Sequence, residues 1–188
     1  MRIDEAQREM RQVYLGGSVG AWVSATLWLI AAALGSLGSR QTAMLVIIFG
    51  GMLIFPSVLL ALKLMGRPAF TSKANPLNSL AMQVAFTIPL SIPLILAATR
   101  GRAEWFFAGF LIVVGAHYLP FVTLYGQPVF YLLALIMVGA GFALPVLRPG
   151  DFAIGGYVGV VLFIVTGIYL AAHHAGESAR RARITRSP

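Results

Sequence analysis

Residues 128–147, PVFYLLALIMVGAGFALPVL, decide the fold class of this chain. The stretch contains no charged side chain. About 20 residues at a rise of about 1.5 Å each cross a hydrocarbon core of about 30 Å. It therefore predicts a helix that spans a membrane.

Five further apolar runs of similar length accompany it. We place the six spans at 15–37, 42–63, 78–98, 105–124, 128–147 and 153–174. The acids and the lysines and arginines all lie at the ends of these runs, which is typical of helices that cross a bilayer. The sequence thus predicts an all-α, polytopic integral membrane bundle of six transmembrane helices.

The two ends of the chain differ from the spans. In residues 1–14, Ile3, Ala6, Met10 and Val13 recur at helical spacing, so we expect a short amphipathic helix at the membrane surface. Residues 175–188 form a basic tail, and we expect its last four residues, 185–188, to be disordered.

Composition excludes several classes of protein. The chain is 59% hydrophobic and 11% charged, with a mean hydropathy of +0.84, which is too apolar for a water-soluble domain. It has no cysteine, so disulfides and thiolate-bound metals are excluded, and no metal site or cofactor is predicted. The net charge of +8 flanks the spans instead of forming one face. It predicts attraction to anionic lipid headgroups and no nucleic-acid partner.

The distribution of lysine and arginine sets the orientation. One side of the membrane receives Arg2, Arg8, Arg11, Lys63, Arg67, Lys73, Arg180, Arg181, Arg183 and Arg186. The other side receives only Arg40, Arg100, Arg102 and Arg148. The positive-inside rule then places both termini in the cytoplasm, and we expect a bacterial cytoplasmic (inner) membrane.

Two glycine pairs have the spacing that allows helices to approach closely. Gly16 and Gly20 open the first span, and Gly155 and Gly159 open the sixth. Packing within the chain is the favoured interpretation, and a homodimer through these glycine faces is the alternative.

A weak internal repeat is also visible. In the second span Gly50 precedes Pro56 by six residues, and in the fifth Gly139 precedes Pro145 by six. Two inverted copies of three spans would be an architecture that transporters use. The match does not extend into the neighbouring spans, so true duplication is the less favoured interpretation.

The candidate site centres on Gly115-Ala116-His117-Tyr118-Leu119-Pro120 in the fourth span. His117 is an ionisable group inside an apolar run, which is a functional hypothesis by default. Because Pro120 has no N–H, we expect the Ala116 carbonyl beside the imidazole to lack its donor. A structural role, in which His117 only bonds a neighbouring helix, is about as favoured as a ligand-binding one.

Four more residues complete the predicted ligand-binding set of His117 and Tyr118. Asn75 looks like the N-cap of the third span, where nearby Lys63 would favour an anion. Gln83 lies on the most polar and most proline-broken span, and Tyr125 ends the fourth. A plain capped helix with positive-inside charges remains the alternative for the Asn75 region.

These residues resemble a known family. Lys63, Asn75-Pro76-Leu77, Gly115-Ala116-His117-x-Leu119-Pro120, Leu124-Tyr125 and Tyr131 are similar to the pattern of an uncharacterised bacterial membrane protein family, domain of unknown function 7010. The chain departs from that pattern at Thr123, where an aromatic residue is expected. The resemblance implies no activity.

Three functions stay open. We favour a small permease or binding protein for a small molecule or lipid, with a cytoplasm-facing polar pocket around His117. The first alternative is an intramembrane lipid-modifying enzyme, for which neither a carboxylate nor a second base is near His117 in the sequence. The other is a non-catalytic assembly subunit that uses its glycine faces. No catalytic residue is assigned, and we lean against an enzyme.

Overall fold

A computed structural model describes residues 1–184, and these contain helices and turns but no strand. The helices are α1 (Ile3–Val13), α2 (Ser18–Ser36), α3 (Arg40–Met52), α4 (Ile54–Leu64), α5 (Leu77–Thr99), α6 (Trp105–Tyr118), α7 (Phe121–Tyr125), α8 (Val129–Leu147) and α9 (Ile154–Ile184). A short 3₁₀ turn, Leu15–Gly17, joins α1 to α2. The predicted all-α class is confirmed. The predicted disorder of residues 185–188 concerns residues that lie outside the described part of the chain.

Four helical segments in the described part of the chain are long and apolar enough to cross a membrane. They are Leu15–Ser36, Leu77–Thr99, Val129–Leu147 and Ile154–Ala179. A fifth arises if α3 and α4, which meet at an angle of 57°, form one broken span. Helix α6 is apolar but short. The chain is therefore a multi-span membrane protein.

The centre of the bundle is made by α2, α6, α8 and α9. Helix α2 packs on α9, and α6 packs on α8. The remaining long helices are peripheral. Helices α3 and α4 pack mainly on α2, whereas α5 packs mainly on α6. Aromatic rings fill the centre, with the Trp28 ring 5.9 Å from Phe107 and 5.5 Å from Phe163 between ring centroids.

The proposed repeat has unequal halves. In the first copy the helix breaks: α3 ends at Met52 and α4 begins at Ile54, with Pro56 as the third residue of α4. In the second copy α8 continues through Pro145 to Leu147 without a break. The matching glycine–proline spacings therefore do not produce matching helices.

The two glycine pairs also differ. A Cβ on Gly155 would lie 2.9 Å from the Phe107 Cβ, and one on Gly159 would overlap the Trp28 ring, so both are close helix contacts. Gly16 instead has a left-handed φ of 66° in the 3₁₀ turn, and Gly20 has nothing within 4 Å of its would-be Cβ. Gly16 and Gly20 thus do not share a helix face within the chain.

The N-terminal helix docks on one end of the bundle. Its apolar face, formed by Ala6, Met10 and Val13, is buried. The Gln7 side chain donates to the Thr123 carbonyl at 2.8 Å, and Arg11 donates to the Tyr125 carbonyl and pairs with Glu177 at 3.4 Å. The amphipathic pattern is thus used for packing on the chain itself.

Glu9 fastens this helix to the link between α4 and α5. Its Oε1 accepts from the Ser72 backbone N–H at 2.7 Å, and its Oε2 accepts from the Asn75 amide at 2.7 Å. The Ser72 N–H contributes most to holding the pKa of the Glu9 carboxyl below its ordinary value of 4.5, and the side-chain bonds from Asn75 and Ser72 act in the same direction. The structure thus provides its own anion at the start of α5.

We expect Gly159→Ala to destabilise the bundle by about 1–3 kcal/mol, because the added methyl group overlaps the Trp28 ring. Gly20→Ala is the matched control, since its methyl group meets nothing and alanine favours a helix by about 1 kcal/mol over glycine. Unfolding of the two variants in the same detergent gives the comparison. Equal losses of stability would contradict the assigned packing.

We expect Glu9→Gln to loosen α1 without unfolding the bundle. Both carboxylate oxygens of Glu9 accept from N–H donors. The NH₂ group of a glutamine side chain would have to face one of these donors, and that hydrogen bond would be lost. Amide exchange of α1 should become about fivefold faster, the size of one net hydrogen bond of ~1 kcal/mol, or less where solvent screens the carboxylate. Glu5→Gln is the control, because glutamine also serves in a capping box. Equal exchange in the two variants would contradict the Glu9 contact.

The same contact predicts a pH dependence. Because the folded pKa of Glu9 is depressed, its contribution is full above the unfolded value of 4.5 and is lost as the pH falls through the lower folded value. Protection factors of α1, corrected for intrinsic exchange, should therefore fall in acid for the native chain. The Glu9→Gln variant should lose this acid-dependent step, and an unchanged step would show that another group causes it.

Candidate functional site around His117

Helices α5 and α6 bring the His117 imidazole against the turn of α5 that precedes Pro89. The two helices run in opposite directions, and residues 64–76 and 126–128 lie at the same end of the bundle, where α1 docks. Thr87 lies ten residues into α5, and His117 lies eight residues before Tyr125, so both are about 12–15 Å from this end. They meet at equal depth.

The Nδ1 atom of His117 is held by two oxygens of α5. It lies 3.0 Å from the Val84 carbonyl oxygen and 3.0 Å from the Thr87 hydroxyl oxygen. The Thr87 hydroxyl also donates to the Val84 carbonyl at 2.7 Å. Because a carbonyl only accepts, Nδ1 carries the hydrogen in this arrangement, and in a neutral ring Nε2 is then the free acceptor.

Two prolines follow the turn of α5 that His117 contacts. Pro89 and Pro93 lie inside the helix and lack the N–H groups that would reach the carbonyls of Ala85 and Pro89. The hydroxyls of Thr87 and Ser91 turn back onto the helix, the second donating to the Thr87 carbonyl at 2.7 Å. Local bonds of this kind bend a helix. The Val84 carbonyl itself is not one that a proline frees, and it is shared by the Thr87 hydroxyl and the His117 imidazole.

One sequence expectation about this region is wrong. The Ala116 carbonyl is not left without a donor by Pro120, since the Leu119 N–H donates to it at 3.1 Å. The chain tightens into a turn between α6 and α7, which satisfies that carbonyl locally. The imidazole therefore bonds the backbone of α5 instead of its own helix.

Aromatic rings form the rest of the site. The His117 ring lies 5.8 Å from Tyr118 and 5.1 Å from Phe121 between centroids. Tyr118 is buried, stacks on Phe130 at 5.8 Å and directs its hydroxyl to Ser24 of α2. Tyr125 is buried and joins the same cluster through Phe121 at 5.7 Å. His117, Tyr118 and Tyr125 are thus connected.

The other three predicted site residues lie elsewhere. Asn75 is buried beneath α1, where its Oδ1 accepts from the Leu77 N–H at 2.9 Å, as an N-cap does, while its amide bonds Glu9 and the Ala6 carbonyl. Gln83 is exposed and bonds Ser79 of its own helix at 3.3 Å. Lys63 is exposed in the last turn of α4 and forms no ion pair within residues 1–184.

The predicted ligand-binding set did not include Thr87 and Val84, the residues that hold His117, although Thr87 is one of the polar residues that mark the third span in the sequence. Thr87 could have been found from its depth, since it is a hydroxyl residue at the level of His117 on a neighbouring antiparallel span. Val84 could not, because its contribution is a backbone carbonyl and any side chain would provide it.

Two grooves are formed elsewhere on the surface of the described chain. One, of about 430 Å³, lies between α8 and α9, and the other, of about 380 Å³, lies where α2 faces the bend between α3 and α4. Neither is lined by His117. Within the same residues no group of three or more His, Cys, Asp or Glu side chains could hold a metal ion.

Comparison with known proteins gives one match. No curated protein and no solved structure matches this chain significantly. A family model described as a family of unknown function, DUF7010, matches residues 3–173. The match runs from the start of α1 almost to the end of the apolar part of α9, so it covers the docked N-terminal helix as well as the spans. This chain therefore belongs to the DUF7010 family of unknown function.

Proposed function

We propose that this protein binds a small molecule or lipid that carries an O–H or N–H group, at His117 within the membrane, and acts as a small permease or binding protein. In this proposal the chain has six spans in a bacterial inner membrane. Both termini are cytoplasmic, and the basic residues near α1 face anionic lipid headgroups.

The grouping of the links supports six spans. The α4–α5 link, the α7–α8 link and α1 bond one another at one end. At the opposite end Phe152 packs on Phe106 at 5.9 Å, and Arg40 lies 5.8 Å above the Phe152 ring, which joins the other links. Links that alternate between two ends require each of the six segments between them to cross. The broken pair α3–α4 and the pair α6–α7 then each count as one span.

The observation that carries the proposal is the state of the imidazole. Both recorded bonds of His117 use Nδ1, so Nε2 has no hydrogen-bond partner among residues 1–184. The Nδ1 contact alone would be enough to join the two helices. A purely structural role therefore gives no use to the free Nε2 atom. A free acceptor inside the hydrocarbon region is costly unless something donates to it.

The arrangement of α4 and α5 supports access from the bilayer. These consecutive helices pack on different partners, α4 on α2 and α5 on α6. The Tyr118–Ser24 contact joins α6 to α2 behind them. We infer a lateral opening between α4 and α5 with α2 and α6 as its back wall and with His117 on the α5 side. Because its mouth would face lipid, an amphiphilic ligand fits it better than a strongly charged one.

We expect His117→Ala to lose a ligand that co-purifies with the native protein. Native mass spectrometry of the gently solubilised chain would compare the native protein with His117→Ala and Thr87→Val. Thr87→Val keeps the contact between His117 and the Val84 carbonyl. It should therefore weaken retention of the ligand by about three- to tenfold, the factor that corresponds to the loss of one hydrogen bond. Thr99→Val is the matched control, because Thr99 bonds only its own helix at the far end of α5.

The alternatives have distinct signatures. Equal bound mass on the native protein and on the His117, Thr87 and Thr99 variants, with unchanged thermal stability, would contradict a ligand site at His117. Unfolding of His117→Ala together with normal ligand retention in Thr87→Val would make His117 structural. A change of oligomeric state in place of bound mass would favour an assembly subunit.

A further inference from the structure

The groove between α8 and α9 is a separate feature from the His117 site. Its lining is formed by apolar side chains of both helices, among them Val165, together with Thr166 and Tyr169 of α9. It begins at the first residues of α8, so it occupies the half of the bundle where α1 docks. Its volume of about 430 Å³ is within the range of small-molecule sites.

One polar side chain in this apolar groove has no partner. Thr166 is 7% exposed, and its hydroxyl makes no hydrogen bond to any described residue. Threonines in helices commonly donate to the carbonyl four residues earlier, as Thr26 and Thr99 do here. A hydroxyl that has no bond and is kept from water costs about 1–3 kcal/mol, so its presence in an apolar groove points to an occupant that accepts a hydrogen bond.

The end of the groove nearest α1 has the features of the membrane interface. Tyr169 lines the groove one turn from Thr166, and its ring stacks on His173 at 5.9 Å, as aromatic side chains do at the level of lipid headgroups. Helix α9 continues to Ile184 through a sequence that contains Arg180, Arg181 and Arg183 but only one acid, Glu177. The excess of positive charge complements an anionic headgroup.

We propose that this groove holds one acyl chain of an anionic, ester-linked phospholipid, with the ester carbonyl accepting a hydrogen bond from the Thr166 hydroxyl. The apolar walls take the chain, and the ester lies one helical turn inside the Tyr169–His173 pair. The headgroup lies beyond the Tyr169–His173 pair, at the end of the bundle where α1 docks. A second copy of the chain is the competing occupant, and the oligomeric state of the variants below distinguishes it from lipid.

Lipid binding to the purified full-length chain tests this assignment. The probes are an anionic phosphatidylglycerol with ester-linked chains and the ether-linked lipid with the same headgroup and chain length, titrated by native mass spectrometry. The native protein should bind the ester lipid more tightly, because the ether lipid has no carbonyl. Thr166→Val should weaken ester binding by about three- to tenfold and abolish the preference.

Two further variants keep the result decisive. Val165→Trp should fill the groove and weaken both lipids without disturbing the core, because Val165 is 60% exposed. Thr26→Val removes a hydroxyl from the other groove that already bonds the Trp22 carbonyl at 3.0 Å, so it should change nothing.

The remaining outcomes would overturn the proposal. An ester preference that survives Thr166→Val, or equal effects of Thr166→Val and Thr26→Val, would remove the hydroxyl from the site. A dimer that becomes monomeric in Val165→Trp while lipid binding is unchanged would assign the groove to a second copy. None of these variants touches His117, so this test and the His117 test can fail independently.

Discussion

The need to pair every backbone polar group without water governs this structure. The hydrocarbon core of a bilayer offers no hydrogen bonds, so each backbone N–H and C=O within it must find a partner in the protein. Helices satisfy this rule along most of their length. The rule becomes informative at prolines, where a donor is lost and another group must compensate. In α5 the prolines leave the carbonyls of Ala85 and Pro89 without an N–H, while nearby the hydroxyl of Thr87 and the imidazole of His117 both bond the carbonyl of Val84. The candidate site thus lies beside the proline-containing part of α5.

The sequence allowed prediction of what depends on hydrophobicity and charge. Four of the six apolar runs each correspond to one long helix, because a run must be long enough to cross lipid and must end at charge or glycine. The runs 42–63 and 105–124 are instead each divided between two helices. The bend between Met52 and Ile54 was not predicted, since glycine and proline also occur in α8, where the helix stays straight enough to continue. Whether such residues break a helix depends on what packs beside them. Glycine–proline spacing alone does not carry that information.

The docking of α1 illustrates a second limit. Amphipathic spacing correctly indicated a helix with one apolar face but could not distinguish a lipid surface from a protein surface. The distinction rests on long-range polar contacts, such as Glu9 to Ser72 and Gln7 to the Thr123 carbonyl. These pair residues far apart in sequence. Asn75 was identified as a helix cap from local pattern, yet its contact with Glu9 required the fold.

The placement of polar groups separates structural from ligand-directed roles. At the α1 end, the Glu9 carboxylate has a donor for each oxygen and Asn75 uses both its amide and its oxygen, so these groups satisfy one another. The buried Arg67 Nε and Gln127 Oε1 atoms at the same end have no partner among the described residues. Deeper in the described bundle, the His117 ring and the Thr166 hydroxyl are each left with unused bonding capacity. In the proposed six-span arrangement the first level lies at the aqueous interface and the second lies within the membrane. Unused capacity near the surface would carry no cost, whereas in the hydrocarbon region it costs free energy that a bound molecule can recover. For that reason both proposed sites are built on the two deep groups, and not on the more numerous polar residues around α1.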